Sequence, residues 1–142
     1  MSRVDFYILK DAGENARQLF ACRLAEKAYR LKHSVHIHAD SREIAARIDD
    51  LLWTFRDGSF VPHEVLPRAD TTQAPVTIGF GENAAMECDL LINLGSDLPG
   101  CGSAFPRIAE IVSSNEENRQ QSRRRFIQYR EQGYTLESHN IE

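Results

Sequence analysis

Long hydrophobic runs are missing from these 142 residues. No stretch approaches the ~18 apolar residues of a membrane-spanning helix. The opening MSRVDFYILKD has no basic segment followed by a long apolar one, so no secretory signal is expected there. Cysteine is scarce as well. Cys22, Cys88 and Cys101 are odd in number and widely spaced, which argues against a disulfide framework and a CxxC pair and points to reduced thiols in the cytoplasm. Cations do not dominate either: 17 Lys and Arg against 21 Asp and Glu leave a net charge of −4. That balance argues against a protein that coats nucleic acid, while leaving room for a local basic patch. What remains, 42% hydrophobic and 27% charged residues, is a globular composition, and the length suits one domain over 1–142.

The order of elements is readable from periodicity. Residues 4–9 (VDFYIL) are an apolar, β-branched and aromatic run that predicts a buried strand. From Ala16, the apolar positions Leu19, Phe20, Leu24, Ala25, Ala28 and Leu31 recur at helical spacing. Residues 35–39 (VHIHA) predict a second strand, and Asp40-Ser41 supply the N-cap of a second helix that ends near Trp53. Strand–helix–strand–helix is the pattern of a parallel βαβ unit. The fold class is therefore α/β: a single-domain, Rossmann-like, open and mostly parallel sheet flanked by helices. Further on, Pro62 keeps its segment out of a central strand. Residues 76–80 and 90–94 are strand candidates, expected as neighbours through a loop or a single turn of helix because so few residues separate them. Residues 107–112 predict another strand, and a last helix runs from about Asn115 to Gln132 with Gly133 as its C-cap. Residues 134–142 read as an extended tail.

This scaffold invites nucleotide chemistry, but the motifs for it are absent. Asp11-Ala12-Gly13-Glu14-Asn15, after the first strand, offers one glycine with acids beside it, which repel a phosphate. Gly79-Phe80-Gly81 begins a GxGxxG pattern, but Ala84 stands where the third glycine belongs and Glu82 sits at the mouth. No cofactor is expected. His36 and His38 share a strand face at a spacing that can chelate zinc, but His33, Asp40 and His63 give no diagnostic further ligand, so a solvent-facing or hydrogen-bonded pair is the expectation and no metal is assigned. Cys22 lies in the apolar stretch of the first helix and reads as a packed thiol. There is no GxSxG, and Ser96-Asp97 has no identifiable base. No catalytic residue is assigned.

Two surface features stand out. Trp53, Phe55 and Phe60 crowd three aromatics into eight residues at a helix end and loop, a composition typical of protein–protein anchors; capping of the core is an equal alternative. The last helix carries Arg119, Arg123, Arg124, Arg125 and Arg130 against Glu116 and Glu117 inside an acidic protein. Positions 119, 123, 126/127 and 130 share a stripe, so arginines flank Phe126 and Ile127. That arrangement suits an acidic peptide ending in a hydrophobic residue: guanidinium groups pair with its carboxylates while a pocket buries its side chain. A solvated charged face is the bland alternative, and a nucleic-acid patch is a third.

At these residues the chain resembles a known family, the chi subunit of bacterial DNA polymerase III. The resemblance covers nearly the whole chain: VDFYIL at 4–9, ACRLAEKA at 21–28, Leu52-Trp53 through Ser59-Phe60-Val61-Pro62-His63, DLLINL at 89–94, and Arg125-Phe126 to Tyr129-Arg130 with Gly133-Tyr134. The Trp-to-Phe-Val-Pro-His block is its most specific part. The resemblance implies a non-catalytic clamp-loader subunit in DNA replication that pairs with the psi subunit and docks the acidic, phenylalanine-ended tail of single-stranded DNA-binding protein. By position, the tail site would use Arg119, Arg123, Arg124, Phe126, Ile127 and Arg130, closed by Leu136. The psi surface would use Trp53 and Phe60 with Phe55 and Pro62, and a helicase is an alternative occupant of that aromatic surface. The family often has a basic residue directly after the helix aromatic. Here Ile127 stands there, which would either shift tail recognition onto Arg123 and Arg124 or weaken it. Membrane contact is not implied, and nucleic acid is met only through its coating protein. A nucleotide-dependent enzyme on the same scaffold is the competing class.

Overall fold

The alternation of strands and helices is present in the computed structural model, which describes residues 3–10, 13–54, 63–65, 75–80, 89–95 and 106–141. The opening apolar run is β1 (Arg3–Leu9), followed by α1 (Glu14–Arg30), β2 (Val35–Ala39) and α2 (Arg42–Thr54). Then come β3 (His63–Val65), β4 (Val76–Phe80), β5 (Leu90–Asn93), β6 (Arg107–Val112), α3 (Glu116–Glu131) and β7 (Thr135–Ile141). Ser41 caps α2, its Oγ accepting from the Ile44 N–H at 3.3 Å. Asn115 caps α3, its Oδ1 accepting from the Asn118 N–H at 3.1 Å. Gly133 takes φ +89° beyond the end of α3, the left-handed turn that residues with a Cβ resist.

The strands form one sheet in the order β3-β4-β2-β5-β6-β1-β7, with every described pairing parallel. Two expectations are corrected by this order. Strands β4 and β5 are not neighbours; β2 lies between them and bonds to both. The C-terminal tail is not free: Thr135 to Ile141 pair in register with Arg3 to Leu9 of β1, making β7 an edge strand. Its half-polar alternation (TLESHNI) hides the strand, because an edge packed on one face needs few apolar residues. Strand β3 forms the opposite edge and begins one residue after Pro62, as a proline-terminated segment should.

The two faces of the sheet carry separate cores. Val35, Ile37, Ile78, Ile92, Ile111 and their neighbours pack under α1 and α2. Val4, Phe6, Leu91, Ile108 and Val112 pack under α3 with Tyr129. Cys22 is fully buried in the first core, where burial pushes its thiol up to about 12; it is a packing residue.

His36 and His38 point to the α3 face of β2 but are buried, not solvent-facing. His36 Nδ1 lies 2.7 Å from Thr77 Oγ1. A Cβ on Gly79 would lie 2.8 Å from His36 Nε2, so this glycine makes room for an imidazole and is not part of a phosphate cradle. Among the described residues no three His, Cys, Asp or Glu cluster as metal ligands. Burial drives His36 down from 6.5 to about 4, helped by the adjacent His38. Burial also lowers His38, opposed by Asp40 and Glu110.

A stability prediction follows from these two rings. The unfolded chain protonates them near pH 6.5, whereas native His36 stays neutral to about pH 4. Protons therefore favour the unfolded state across that window, and stability falls with falling pH by up to ~1.4 kcal/mol per pH unit per histidine. Urea titrations between pH 7 and 4 should show this slope, and His36→Gln should flatten it. A slope unchanged by that substitution would contradict the assignment.

Candidate functional site

The seating of α3 sets the geometry of the site. Its inward positions are Asn118, Ser122, Arg125 and Tyr129, an almost wholly polar stripe at helical spacing. The stripe is received by Glu110 of β6, which is fully buried. Glu110 Oε2 accepts from Arg125 Nε at 3.0 Å, Asn93 Nδ2 at 3.0 Å and the Tyr129 hydroxyl at 2.6 Å. Burial, with the Glu110 carboxylate next, pushes the Tyr129 phenol far above its ordinary range, so it remains a donor. At the start of the helix, Asn118 Oδ1 accepts from the Ser113 N–H at 2.8 Å and ties the first turn to the end of β6. Arg125 is thus a neutralised structural group. The basic surface expected on this helix loses one of its five arginines to the interior.

Around this seat the helix leaves part of the sheet uncovered. A cavity of about 430 Å3 opens between α3 and the β1–β7 side of the sheet. Its apolar floor includes Phe6, Ile8 and Val112, and Phe126 and Ile127 form the helix wall. The Phe6 and Phe126 rings meet at 5.4 Å between centroids. Arg119 and Arg123 stand on the same wall, one turn apart and exposed. Among the described residues neither guanidinium has an ion-pair or hydrogen-bond partner. Unpaired planar cations beside an apolar hollow can hold a carboxylate while the hollow takes a large side chain.

Of the sequence-predicted tail residues, the structure brings together Arg119, Arg123, Phe126 and Ile127. Arg124 and Arg130 are exposed on α3 but do not line the cavity, and Leu136 packs half-buried against the neighbouring core. Sequence reasoning missed Ser122 and Ser138, which add hydroxyls to the lining, and the floor residues of β1 and β6. Alternation along β1 predicts that Val4, Phe6 and Ile8 share a face, but not which helix leaves that face open. On the aromatic surface, Trp53 is 57% exposed at the end of α2. Phe55, Phe60 and Pro62 lie outside the described residues.

A second hollow lies at the carboxyl ends of the strands, where α/β proteins commonly hold nucleotides. Here Arg17 fills it: Nε donates to the Ile111 carbonyl at 2.9 Å, one terminal nitrogen reaches the Leu94 carbonyl at 3.3 Å, and the other pairs with Glu14 at 2.8 Å. Glu14, Asp40 and Glu117 line what remains. Carboxylates at three helix starts offset the positive helix ends that would otherwise draw a phosphate.

Fold and cavity together define a parallel α/β protein with an arginine-flanked apolar pocket on the edge of its sheet. Residues 1–137 match the family described as DNA polymerase III chi subunit, HolC, and the chain belongs to that family. Three relatives carry the name DNA polymerase III subunit chi. The protein of Pseudomonas aeruginosa is 42% identical over 141 residues, covering 99% of this chain and 98% of its own. That of Haemophilus influenzae is 32% identical over 137 residues, with 96% and 95% covered. The Escherichia coli protein is 28% identical over 141 residues, with 96% of each covered.

The buried pair yields a test. Glu110→Gln leaves Arg125 charged without its counter-ion and should cost about 3–5 kcal/mol in urea unfolding. Glu110→Leu combined with Arg125→Met should cost less than Glu110→Gln alone. A Glu110→Gln protein as stable as the parent would remove this pair as the seat of α3.

Proposed function

We propose that this chain is a non-catalytic adaptor of the clamp-loader complex, joining the psi subunit to the acidic tail of single-stranded DNA-binding protein. The observation that carries the tail site is the pairing of two unpartnered arginines, Arg119 and Arg123, with an apolar cavity floored by Phe6, Ile8 and Val112. The tail's acids meet the guanidinium groups, so binding weakens with salt. Its terminal phenylalanine enters the cavity, and burying that ring contributes about 1.5–3 kcal/mol. Ile127, 47% exposed, extends the apolar wall where the family often has a cation, which leaves the charge recognition to Arg119 and Arg123.

The psi surface is assigned to Trp53 with Phe55, Phe60 and Pro62. Helix α2 packs over β2 to β4, at the β3 edge and on the face opposite α3. Separation by edge and by face lets both partners bind at once. The same aromatic surface is where a helicase would compete with psi. The nucleotide-enzyme reading has Arg17 and three carboxylates against it in the strand-end crevice, and neither ATP nor NAD should shift the melting temperature.

Calorimetry with the tail peptide is the direct test. Arg123→Ala should weaken tail binding about tenfold or more, as expected for a central hydrogen-bonded cation, and leave psi affinity unchanged. Arg124→Ala, outside the cavity, should matter less. Removing the last residues of single-stranded DNA-binding protein should abolish its retention in a pull-down. Equal retention of the truncated protein would refute the tail site, and a tight complex with bare oligonucleotide would favour direct nucleic-acid binding instead. Trp53→Ala should reduce psi affinity in a folded protein.

A further inference from the structure

A third surface, which neither of those partners uses, lies on the α1 face at the amino-terminal ends of the strands. The last turn of α1, the turn after it and the starts of β5 and β6 enclose a hollow of about 450 Å3. Its inner wall is apolar: Leu24 and Ala28 of α1, Tyr7 of β1 and Leu90 of β5. Leu31 stands at its mouth, 61% exposed, the most exposed large hydrophobic side chain among the described residues. A bulky apolar group left in water beside an apolar hollow has no role in the core, since neither α1 nor the sheet covers it.

The charges around it are unbalanced in a way that the whole chain is not. Lys27 and Arg107 stand on the rim, Arg107 already paired with Asp5 at 2.9 Å, and Arg23 and Arg30 flank Leu31 on the outer side, with Lys32 next to it in the sequence. Two further carboxylates are near, and both are engaged, Glu26 by one of these same cations. Asp89 accepts from the Ser34 N–H at 2.9 Å and sits 3.7 Å from His33, and Glu26, itself buried, faces Arg30 at 3.7 Å. Among the described residues, no acid pairs with Lys27, Arg23 or Lys32. The rim is also held in place. The Asp89 N–H donates to Ser34 Oγ at 3.0 Å, returning the bond it receives, so the turn after α1 and the start of β5 are clasped together.

We propose that this hollow docks a second acidic peptide segment, one that places a bulky apolar side chain against Leu24, Ala28 and Leu90 while its carboxylates meet Lys27 and its neighbours. A peptide fits better than a nucleic acid. The cations ring a side-chain-sized hollow and do not form a track along it, and Asp89 interrupts any run of phosphates. The protein would then hold three partners on three surfaces: the α2 end, the α3 cavity and this one.

The probe is an acetylated peptide amide of four aspartates followed by tryptophan, which lacks the free terminal carboxylate that the α3 cavity would use. It is titrated to about 1 mM, the weak end of specific affinity, into the isotopically labelled full chain and followed by two-dimensional NMR. The backbone signals of Lys27, Ala28, Leu31 and Leu90 should shift in a saturable way. Lys27→Glu should weaken that response about tenfold and Leu31→Ser severalfold, as for a rim charge and an apolar anchor. Both residues are exposed, so the fold is expected to survive, and unchanged shifts elsewhere in the spectrum check it. A peptide with lysines in place of the aspartates should shift nothing. The proposal is overturned by shifts confined to the α3 cavity, by no shifts, by a response that Lys27→Glu leaves intact, or by a single-stranded oligonucleotide that moves the same signals at lower concentration.

Discussion

The bond between Glu110 and Arg125 is the constraint on which the candidate tail site depends. A helix normally seats itself by an apolar stripe, and its position then tolerates small slides. Helix α3 instead lays Asn118, Ser122, Arg125 and Tyr129 against the sheet. Taking Arg125 and Glu110 out of water is costly, and the cost is offset only if their hydrogen bonds form together. Glu110 Oε2 receives three donors within 3.0 Å, so the register of the helix is fixed to within a bond length. A buried ion pair adds little net stability, but it singles out one arrangement. Arg119 and Arg123, less than two turns from Arg125, inherit that placement, and Phe6, Ile8 and Val112 line the cavity beside them.

The order of strands then distributes the surfaces. With β3 and β4 at one edge and β1 and β7 at the other, α2 and α3 end on opposite faces as well as at opposite ends of the sheet. The edge strand β7 has a part in this. It is tied down through His139, whose ring stacks on Tyr7 at 5.1 Å and whose Nε2 meets Asp5 at 2.9 Å. Asp5 is buried at the foot of β1. Burial pushes its carboxyl up, but hydrogen bonds from His139, Arg3 and Arg107 outweigh that and hold it below its usual range. A carboxylate that gathers β1, β6 and β7 at one point keeps the cavity's floor and its Ser138 side in fixed relation.

Periodicity made the regular elements legible. The 3.6-residue spacing of α1, the alternation in β2, the cap at Ser41 and the glycine after α3 all act through local sterics and hydrogen bonds that the sequence displays directly. Strand order was not legible, because it is decided by pairings between residues far apart, as when β2 inserts between β4 and β5. Nor was the difference between Arg124 and Arg125. One is exposed and one is buried, and only the presence of Glu110 beneath the helix tells them apart. The stripe of Arg119, Arg123 and Phe126 was legible, since it needs no more than helical geometry. The floor of the cavity was not, since it depends on where the helix stops covering the sheet.

The strand-end crevice shows how a nucleotide-type scaffold is turned away from phosphates. In such folds the helix starts and their open N–H groups draw anions to the carboxyl edge of the sheet. Here Glu14, Asp40 and Glu117 sit at those starts, and Arg17, which lines the same crevice, is spent on the Ile111 and Leu94 carbonyls and on Glu14. Among the described residues, uncommitted cations beside apolar hollows lie elsewhere, on the outer side of α3 and at the end of α1. The carboxyl edge is thus neutralised from within, whereas those cations adjoin apolar hollows. A chain with net charge −4 thereby keeps its unpaired cations beside apolar surface, the arrangement on which the proposed acidic-peptide sites rest.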